Sequence, residues 1–349
     1  MQHYIDATPT KDGALTPTQV SQWREHGFTF VSDLLPKTLV AARQDDAIDA
    51  FPPRGSDEAE QFVGFGSQAQ FVFPAASDAF NDITVHENLL AAIAALLGER
   101  INDVRLTQSD LWPKYHRELT AGEKNFGDQR IHVDYPNHTL THPTPWHRPE
   151  AVELILYLSD VDEAGGPTAL VPREGDDDPA YAWPIVDSPG INDLPYINDK
   201  ATAESAFATA RPDRAEFRAR LYEREKLTRY RAGDIVFYRH DTWHRGTPLK
   251  KGGFRLAQNI TYRRAASEWI SQLHIGWAWS AYAQDQRLPR LLSRCSLDQR
   301  AALGFPQPES DYWCDDTIAA VEARYSSVGF DVTPYRDAIR RSRGKKAGD

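Results

Sequence analysis

The sequence predicts a mainly β fold with flanking helices, organised as one domain. Three observations carry this. Val104 to Trp112 alternates as a barrel strand does, Ala151 to Leu158 reads as a half-buried strand, and the residues of Phe254 to Tyr262 divide onto two faces. Helix start and stop signals gather before residue 104 and after residue 262. Between Pro172 and Arg229 a long stretch of turn and helix patterns interrupts the strands. With 349 residues and 41% apolar side chains, the chain is long enough for one large or two small domains. One core with helical additions is the arrangement expected: a helical and strand region over 1–103, the core over 104–262 with an insertion at about 173–229, and a helical C-terminal extension over 263–349.

The elements follow in order. Thr16-Pro17-Thr18-Gln19 is a helix start, and the helix over 17–26 ends at Gly27. Phe28 to Val31 is a short strand and Pro36 to Ala50 a second helix, followed by an exposed loop from Pro52 to Glu60. Gly64-Phe65-Gly66 lacks the flanking strand and helix of a nucleotide-binding turn. His86 to Leu97 is a helix rich in Leu and Ala, closed by Gly98. Beyond Tyr262, Ser267 to Tyr282 carries Trp269, Trp277 and Trp279 in a largely helical segment suited to core or subunit packing, a homodimer contact included. Asp298 to Leu303 and Asp316 to Tyr325 continue as short helices, and the charged end from Arg340 is expected to fray.

Composition excludes several classes of partner. A formal net charge of −10, with no basic run or aromatic platform, argues against nucleic acid. No stretch approaches the ~20 apolar residues that span a bilayer, and the N-terminus lacks a signal-peptide core, so no membrane role and a cytoplasmic location are expected. Cys295 and Cys314 form no close ligand pair and read as reduced thiols.

Two segments more than a hundred residues apart carry chemistry: Arg130-Ile131-His132-Val133-Asp134 and Asp241-Thr242-Trp243-His244, the latter followed by Arg255. On an extended strand His132 and Asp134 point to one face and can bind one metal. Two imidazoles and one carboxylate on a triangular face leave three positions open, as in non-haem Fe(II) oxygenases. His244 is the best third ligand, with His240 the competitor. From Arg231 to Tyr262 the chain parses as strand, turn, short strand, Gly-Gly turn and strand. In the last strand Arg255, Ala257, Asn259 and Thr261 share a face. An inward arginine is costly unless it meets an anion, and a guanidinium suits a carboxylate; the anion expected is 2-oxoglutarate. Gln108, Asp110, Trp112 and Lys114 share a face of the earlier strand, where both Gln108 and Lys114 are open between a site role and a solvated face. Thr247 and Asn259 are further candidates for the site lining. His138 and His142 have the spacing of a helical zinc site, but Pro136, Pro143 and Pro145 crowd it and no Glu follows His138. Trp146 and His147 are candidates for shaping a substrate pocket. The insertion reads as a lid that excludes water, or else as a surface excursion or dimer contact.

With Ala151 to Pro172 supplying a strand, an acidic turn and Gly165-Gly166-Pro167, the order of these elements resembles the phytanoyl-CoA dioxygenase family of Fe(II)/2-oxoglutarate oxygenases, over roughly residues 17 to 262. The resemblance implies a double-stranded β-helix, a jelly roll of two sheets. It implies His132, Asp134 and His244 as iron ligands and Arg255 as the 2-oxoglutarate anchor; related oxygenases often use a polar residue of the strand before His-x-Asp at the keto-acid end, which makes Gln108 a candidate co-substrate contact, with Thr247 another candidate. Many members follow the Val-Pro with Gly-Ser-His, where this chain has Arg173-Glu174-Gly175, so no substrate contact is transferred from that loop. The chemistry implied consumes O2 and 2-oxoglutarate, releases succinate and CO2, and hydroxylates a C–H bond. Desaturation, epoxidation and ring closure use the same oxidant. In related halogenases a small residue replaces the carboxylate, so Asp134 favours hydroxylation. The expected substrate is a small molecule: an amino acid, a secondary metabolite or an acyl compound. Two other classes stand beside this one, a catalytically silent jelly-roll binding protein and a cupin-type metal hydrolase or isomerase.

Overall fold

The structure is a computed structural model that describes residues 3–48, 50–62, 73–118, 127–135, 143, 145–189, 197–267, 287–303, 305–310, 313–325 and 328–346. Strands β1 (His3–Asp6) and β2 (Thr8–Pro9) precede helix α1 (Pro17–His26). Thr16 caps α1 in a capping box with Gln19, Pro17 occupies the first turn, and Gly27 leaves the helix at φ 93. Strand β3 (Phe28–Ser32) is followed by α2 (Lys37–Ile48), α3 (Asp57–Gln61), α4 (Asp78–Thr84) and α5 (Glu87–Leu97). The core then runs through β4 (Val104–Tyr115), β5 (Ala151–Tyr157), α6 (Val161–Ala164) and β6 (Thr168–Leu170). The insertion supplies α7 (Lys200–Ala210) and α8 (Ala215–Arg224), and β7 (Lys226–Arg229), β8 (Ile235–Arg239), β9 (His244–Gly246) and β10 (Phe254–Arg264) complete the strands. Helices α9 (Arg287–Arg294), α10 (Leu297–Ala302), α11 (Asp315–Tyr325) and α12 (Thr333–Lys346) close the chain.

The strands form two sheets, β2-β3-β8-β5-β10-β4 and β1-β7-β6-β9. The pleat decides which residues face what. On one face of the larger sheet Leu154, Leu156, Ile235, Phe237, Leu256 and Ile260 pack against the helices, among them Trp23 of α1 and Leu89 and Ile93 of α5. On the other face Phe30, Ile155, Tyr157, Val236, Tyr238 and Ala257 meet Leu170 of β6 and Tyr230, and this inner face carries the candidate site. The predicted split of β10 is therefore observed. Gln258, polar yet on the helix side, is accommodated because its amide donates to Thr84 and Ser109, both at 3.2 Å, and accepts from Arg43.

Three expectations change. The predicted loop from Pro52 to Glu60 contains α3, because the Ser56 hydroxyl caps Ala59 N–H. The predicted helical stretch near Ala201 to Glu225 divides at Pro212, whose ring cannot continue α7. Strand β4 runs three residues past its predicted end, through Pro113; it lies at the edge of its sheet, where a missing N–H is tolerated. Gly64-Phe65-Gly66, His138 with His142, and most of Ser267 to Tyr282 lie outside the described residues. Among the described residues no helix is long and apolar enough to cross a membrane.

Asp234 turns the chain into β8. Its carboxylate accepts from Arg231 N–H at 2.8 Å and its carbonyl from Tyr157 N–H at 3.0 Å. Burial pushes this carboxyl up to about 6, against the favourable Arg231 N–H. The folded protein thus holds this proton more tightly than the unfolded chain does. Its stabilising contribution is complete below about pH 4 and disappears as pH rises through about 6. Asp234→Asn is expected to gain stability relative to the parent between pH 4 and 7 in denaturant melts; a difference constant across that range would contradict the assignment.

Candidate metal centre

The two motif segments meet through their backbones. His132 N–H donates to His244 C=O and His244 N–H to His132 C=O, each at 2.9 Å, an isolated antiparallel pair. Gly246 and Gln129 extend the pairing, and Asp134 and Tyr135 N–H both donate to His240 C=O at 2.9 Å. The predicted strand over 130–134 is thus a bridge with little regular ladder. Side chains supply the rest: Tyr222 of α8 accepts from Ile131 N–H at 3.0 Å, and buried Arg218 donates to Ile131 C=O at 2.9 Å. Arg218 is itself fixed by Glu204 of α7, which also accepts from the Tyr222 phenol.

Extended backbone places His132 and Asp134 on one side, and the bridge sets His244 opposite them. One donor atom from each lies within 4.8 Å of the others, and this is the three-donor group found among the described residues. Asp134 Oδ1 is 3.3 Å from His132 Nε2, and Oδ2 is 3.2 Å from His244 Nε2. Each imidazole Nδ1 contacts a carbonyl two residues back, Arg130 C=O at 3.1 Å and Thr242 C=O at 3.0 Å. With the proton on Nδ1, both Nε2 lone pairs are turned toward Asp134, which is the form a metal requires. His240 contributes its carbonyl, and its ring lies against Tyr135.

Burial, then the charges of His244 and Arg130, push His132 down to about 4. Burial also opposes a proton on His244, but the Asp134 charge outweighs it and holds this imidazole above the ordinary value. Asp134 is held well below the usual carboxylate range: burial works against its charge, and the two imidazoles overcome it. Electrostatically the cluster is a carboxylate held in its charged form between one imidazole that burial keeps neutral and one that it draws toward a positive charge, a place a metal cation would take instead of that proton.

A second group on the inner face is cationic. Arg255 lies opposite Lys114 in the β10–β4 register, followed by the pairs Ala257–Trp112, Asn259–Asp110 and Thr261–Gln108. Arg255 Nη1 donates to Gly166 C=O at 2.6 Å, while its buried Nε has no hydrogen-bond partner among the described residues. Gly165 and Gly166 adopt φ 71 and 60, and a Cβ on Gly165 would stand 2.4 Å from Lys250 N, so the predicted Gly-Gly-Pro turn packs tightly against the chain entering β10. Lys114 donates to Gly127 and Thr247 carbonyls at 2.9 and 3.2 Å, and burial followed by the Arg255 charge holds it well below the usual lysine value. Tyr157 and Tyr230, stacked at 4.1 Å, both feel the Arg255 charge. Two half-buried basic side chains, one with an unused donor, make a socket for an anion.

The remaining candidates are dispersed. Gln108 Nε2 donates to Asp110 at 2.8 Å, and the Thr247 hydroxyl donates to Pro167 C=O at 2.6 Å. Trp146 is held by Arg24 C=O and lies under the Arg239 guanidinium at 3.6 Å. Sequence reasoning passed over Tyr238, whose phenol donates to Asp134 Oδ2 at 3.2 Å and whose ring lies 4.6 Å from that of His244. The parity of β8 places it inward with Val236 and was the available signal.

Two imidazoles and a carboxylate between the sheets of a jelly roll are a donor set that could hold one metal ion. The chain matches the model of the phytanoyl-CoA dioxygenase (PhyH) family over residues 23–257, more than half its length, and belongs to that family. Among solved structures it is similar to SnoK, a non-heme α-ketoglutarate-dependent carbocyclase from nogalamycin biosynthesis, with a TM-score of 0.50 and 17% identity over 78% of this chain and 93% of that one. EvdO2 from Micromonospora carbonacea var. aurantiaca, complexed with 2-oxoglutarate, gives 0.49 and 12% over 75% and 96%. The epimerase SnoN, with Fe3+, α-ketoglutarate and nogalamycin RO, gives 0.46 and 19% over 71% and 83%. No curated protein matches the chain by sequence.

His132→Ala and His244→Ala are each expected to weaken divalent-metal binding by at least the roughly 10–100-fold that loss of an outer partner alone costs. Co(II) titration followed by visible absorption measures this, and parental affinity in either variant would remove that residue from the centre.

Proposed function

We propose that this chain is an Fe(II)- and 2-oxoglutarate-dependent oxygenase that hydroxylates an unactivated C–H bond of a small molecule. The observation that carries the reading is the coexistence, between the two sheets, of a three-donor metal group and a half-buried cationic socket. A metal hydrolase or isomerase also needs the first; the second adds a place for the carboxylate of a keto-acid co-substrate. The donor set fits iron: two neutral imidazoles and one carboxylate neutralise part of its charge and leave three positions for co-substrate and O2. When bound, iron with 2-oxoglutarate and O2 supplies an oxidant able to break a C–H bond, with succinate and CO2 as by-products.

The residues have distinct tasks in this reading. His132, Asp134 and His244 hold the metal. Arg255, through its unused Nε, takes the distal carboxylate of 2-oxoglutarate, and Lys114 beside it adds charge. Gln108 is the candidate contact to the keto-acid end. Thr247 contributes through its carbonyl, which holds Lys114, since its hydroxyl is engaged by Pro167. The insertion is the cover over the centre, with α8 gripping the residue before His132. Retention of Asp134 keeps a carboxylate where a halogenase has a small side chain, which favours oxygen insertion.

Anaerobic addition of Fe(II) and 2-oxoglutarate is expected to produce the weak visible charge-transfer band of the chelate. Its absence would exclude the oxygenase reading and favour the silent binding protein or the hydrolase. Arg255→Met should cost about 2 kcal/mol or more of co-substrate binding, some thirty-fold in dissociation constant, with metal affinity unchanged. Screening small molecules for stimulated succinate release then identifies the substrate.

A further inference from the structure

The two oxygens of the Asp134 carboxylate each face an imidazole, and one of them also meets a phenol. Oδ1 faces His132 Nε2 at 3.3 Å, whereas Oδ2 faces His244 Nε2 and the Tyr238 phenol, both at 3.2 Å. Tyr238 is buried at the penultimate position of β8, opposite Phe28 on one side and Glu153 on the other. Its ring lies against His244 at an interplanar angle of 50°, so strand and imidazole together aim the hydroxyl. A carboxylate can hold a metal through one oxygen or through both. With three protein donors, a second carboxylate oxygen would take one of the three positions that co-substrate and O2 need.

We infer that Tyr238 is a positioning residue that restricts Asp134 to one metal-binding oxygen. The inference rests on the iron and 2-oxoglutarate reading above. A phenol donating to Oδ2 makes a charge-assisted hydrogen bond whose direction the ring packing fixes. Chelation through both oxygens would have to pull Oδ2 toward the metal and away from that donor. Asp134 then offers the metal a single oxygen, and the open side of the centre keeps its full capacity. Phenylalanine at this place would retain the ring against His244 and lose only the donor.

Two measurements test this. In a crystal structure of the anaerobic Fe(II)-loaded protein, Asp134 should bind through one oxygen with the Tyr238 hydroxyl on the other; a bidentate Asp134, or a Tyr238 turned away, overturns the inference. In Tyr238→Phe, the Co(II) absorption spectrum should change before any co-substrate is added, while Co(II) is still bound. The Fe(II) form should then bind 2-oxoglutarate about ten-fold more weakly, the size expected for loss of an outer partner. A variant with the parental Co(II) spectrum and parental 2-oxoglutarate affinity also overturns it. Should Tyr238→Phe not fold, the crystal structure decides alone. Failure of the underlying reading is distinguishable, because the parent protein itself would then show no chelate band.

Discussion

The reciprocal pair of hydrogen bonds between His132 and His244 is the contact on which the rest of the centre depends. Each of the two histidines uses its own peptide group to locate the other, so their Cα separation is set by backbone geometry, and the carbonyls of Arg130 and Thr242 then orient the rings. The other fixtures build outward from that pair. Asp134 is positioned by the His240 carbonyl, the imidazoles are oriented by carbonyls two residues behind them, and Ile131 is gripped by α8. A site assembled from main-chain contacts loses little entropy when an ion arrives, because its donors already converge.

The inner face also separates charge along its strands. Arg255 and Lys114 occupy one register position of β10 and β4, while the pairs Asn259–Asp110 and Thr261–Gln108 follow four and six residues further along. Lys114 and Arg255 repel each other in a region from which water is largely removed, and backbone carbonyls of Gly127, Thr247 and Gly166 partly compensate. Such a pair is retained against its own electrostatic cost, which is the physical reason to expect a dianionic ligand between the sheets.

Much of the centre was legible in the sequence because strand parity is a rigid rule. His132 with Asp134, and Arg255 with Ala257 and Asn259, could be assigned to faces from spacing alone. Lys114 stayed open because Pro113 obscured whether the strand continued, and only the edge position of β4 explains why it does. Tyr238 was missed since all five residues of β8 are buried, and in such a run alternation gives no contrast between the two faces. Helix α3 was hidden behind Pro52, Pro53 and Gly55, whose turn signals outweighed the Ser56 cap. The grip of Arg218 and Tyr222 on Ile131 joins residues some ninety apart and had no local signature.

One feature at the start of the chain bears on how the protein tolerates handling. Strand β1 pairs in parallel with β7 in the smaller sheet, and β2 pairs in parallel with β3 in the larger one, with Ala7 alone between them. Seven residues therefore form the outermost strand of both sheets at once, and Arg229 with Asp6 fastens them by an ion pair at 3.0 Å. Loss of this segment by proteolysis would bare the flanks of β7 and β3 together and offer two unpaired rows of peptide groups to neighbouring molecules. The same short stretch is thus a guard against edge-to-edge pairing, and nicking near Ala7 would expose two strand edges as templates for aggregation.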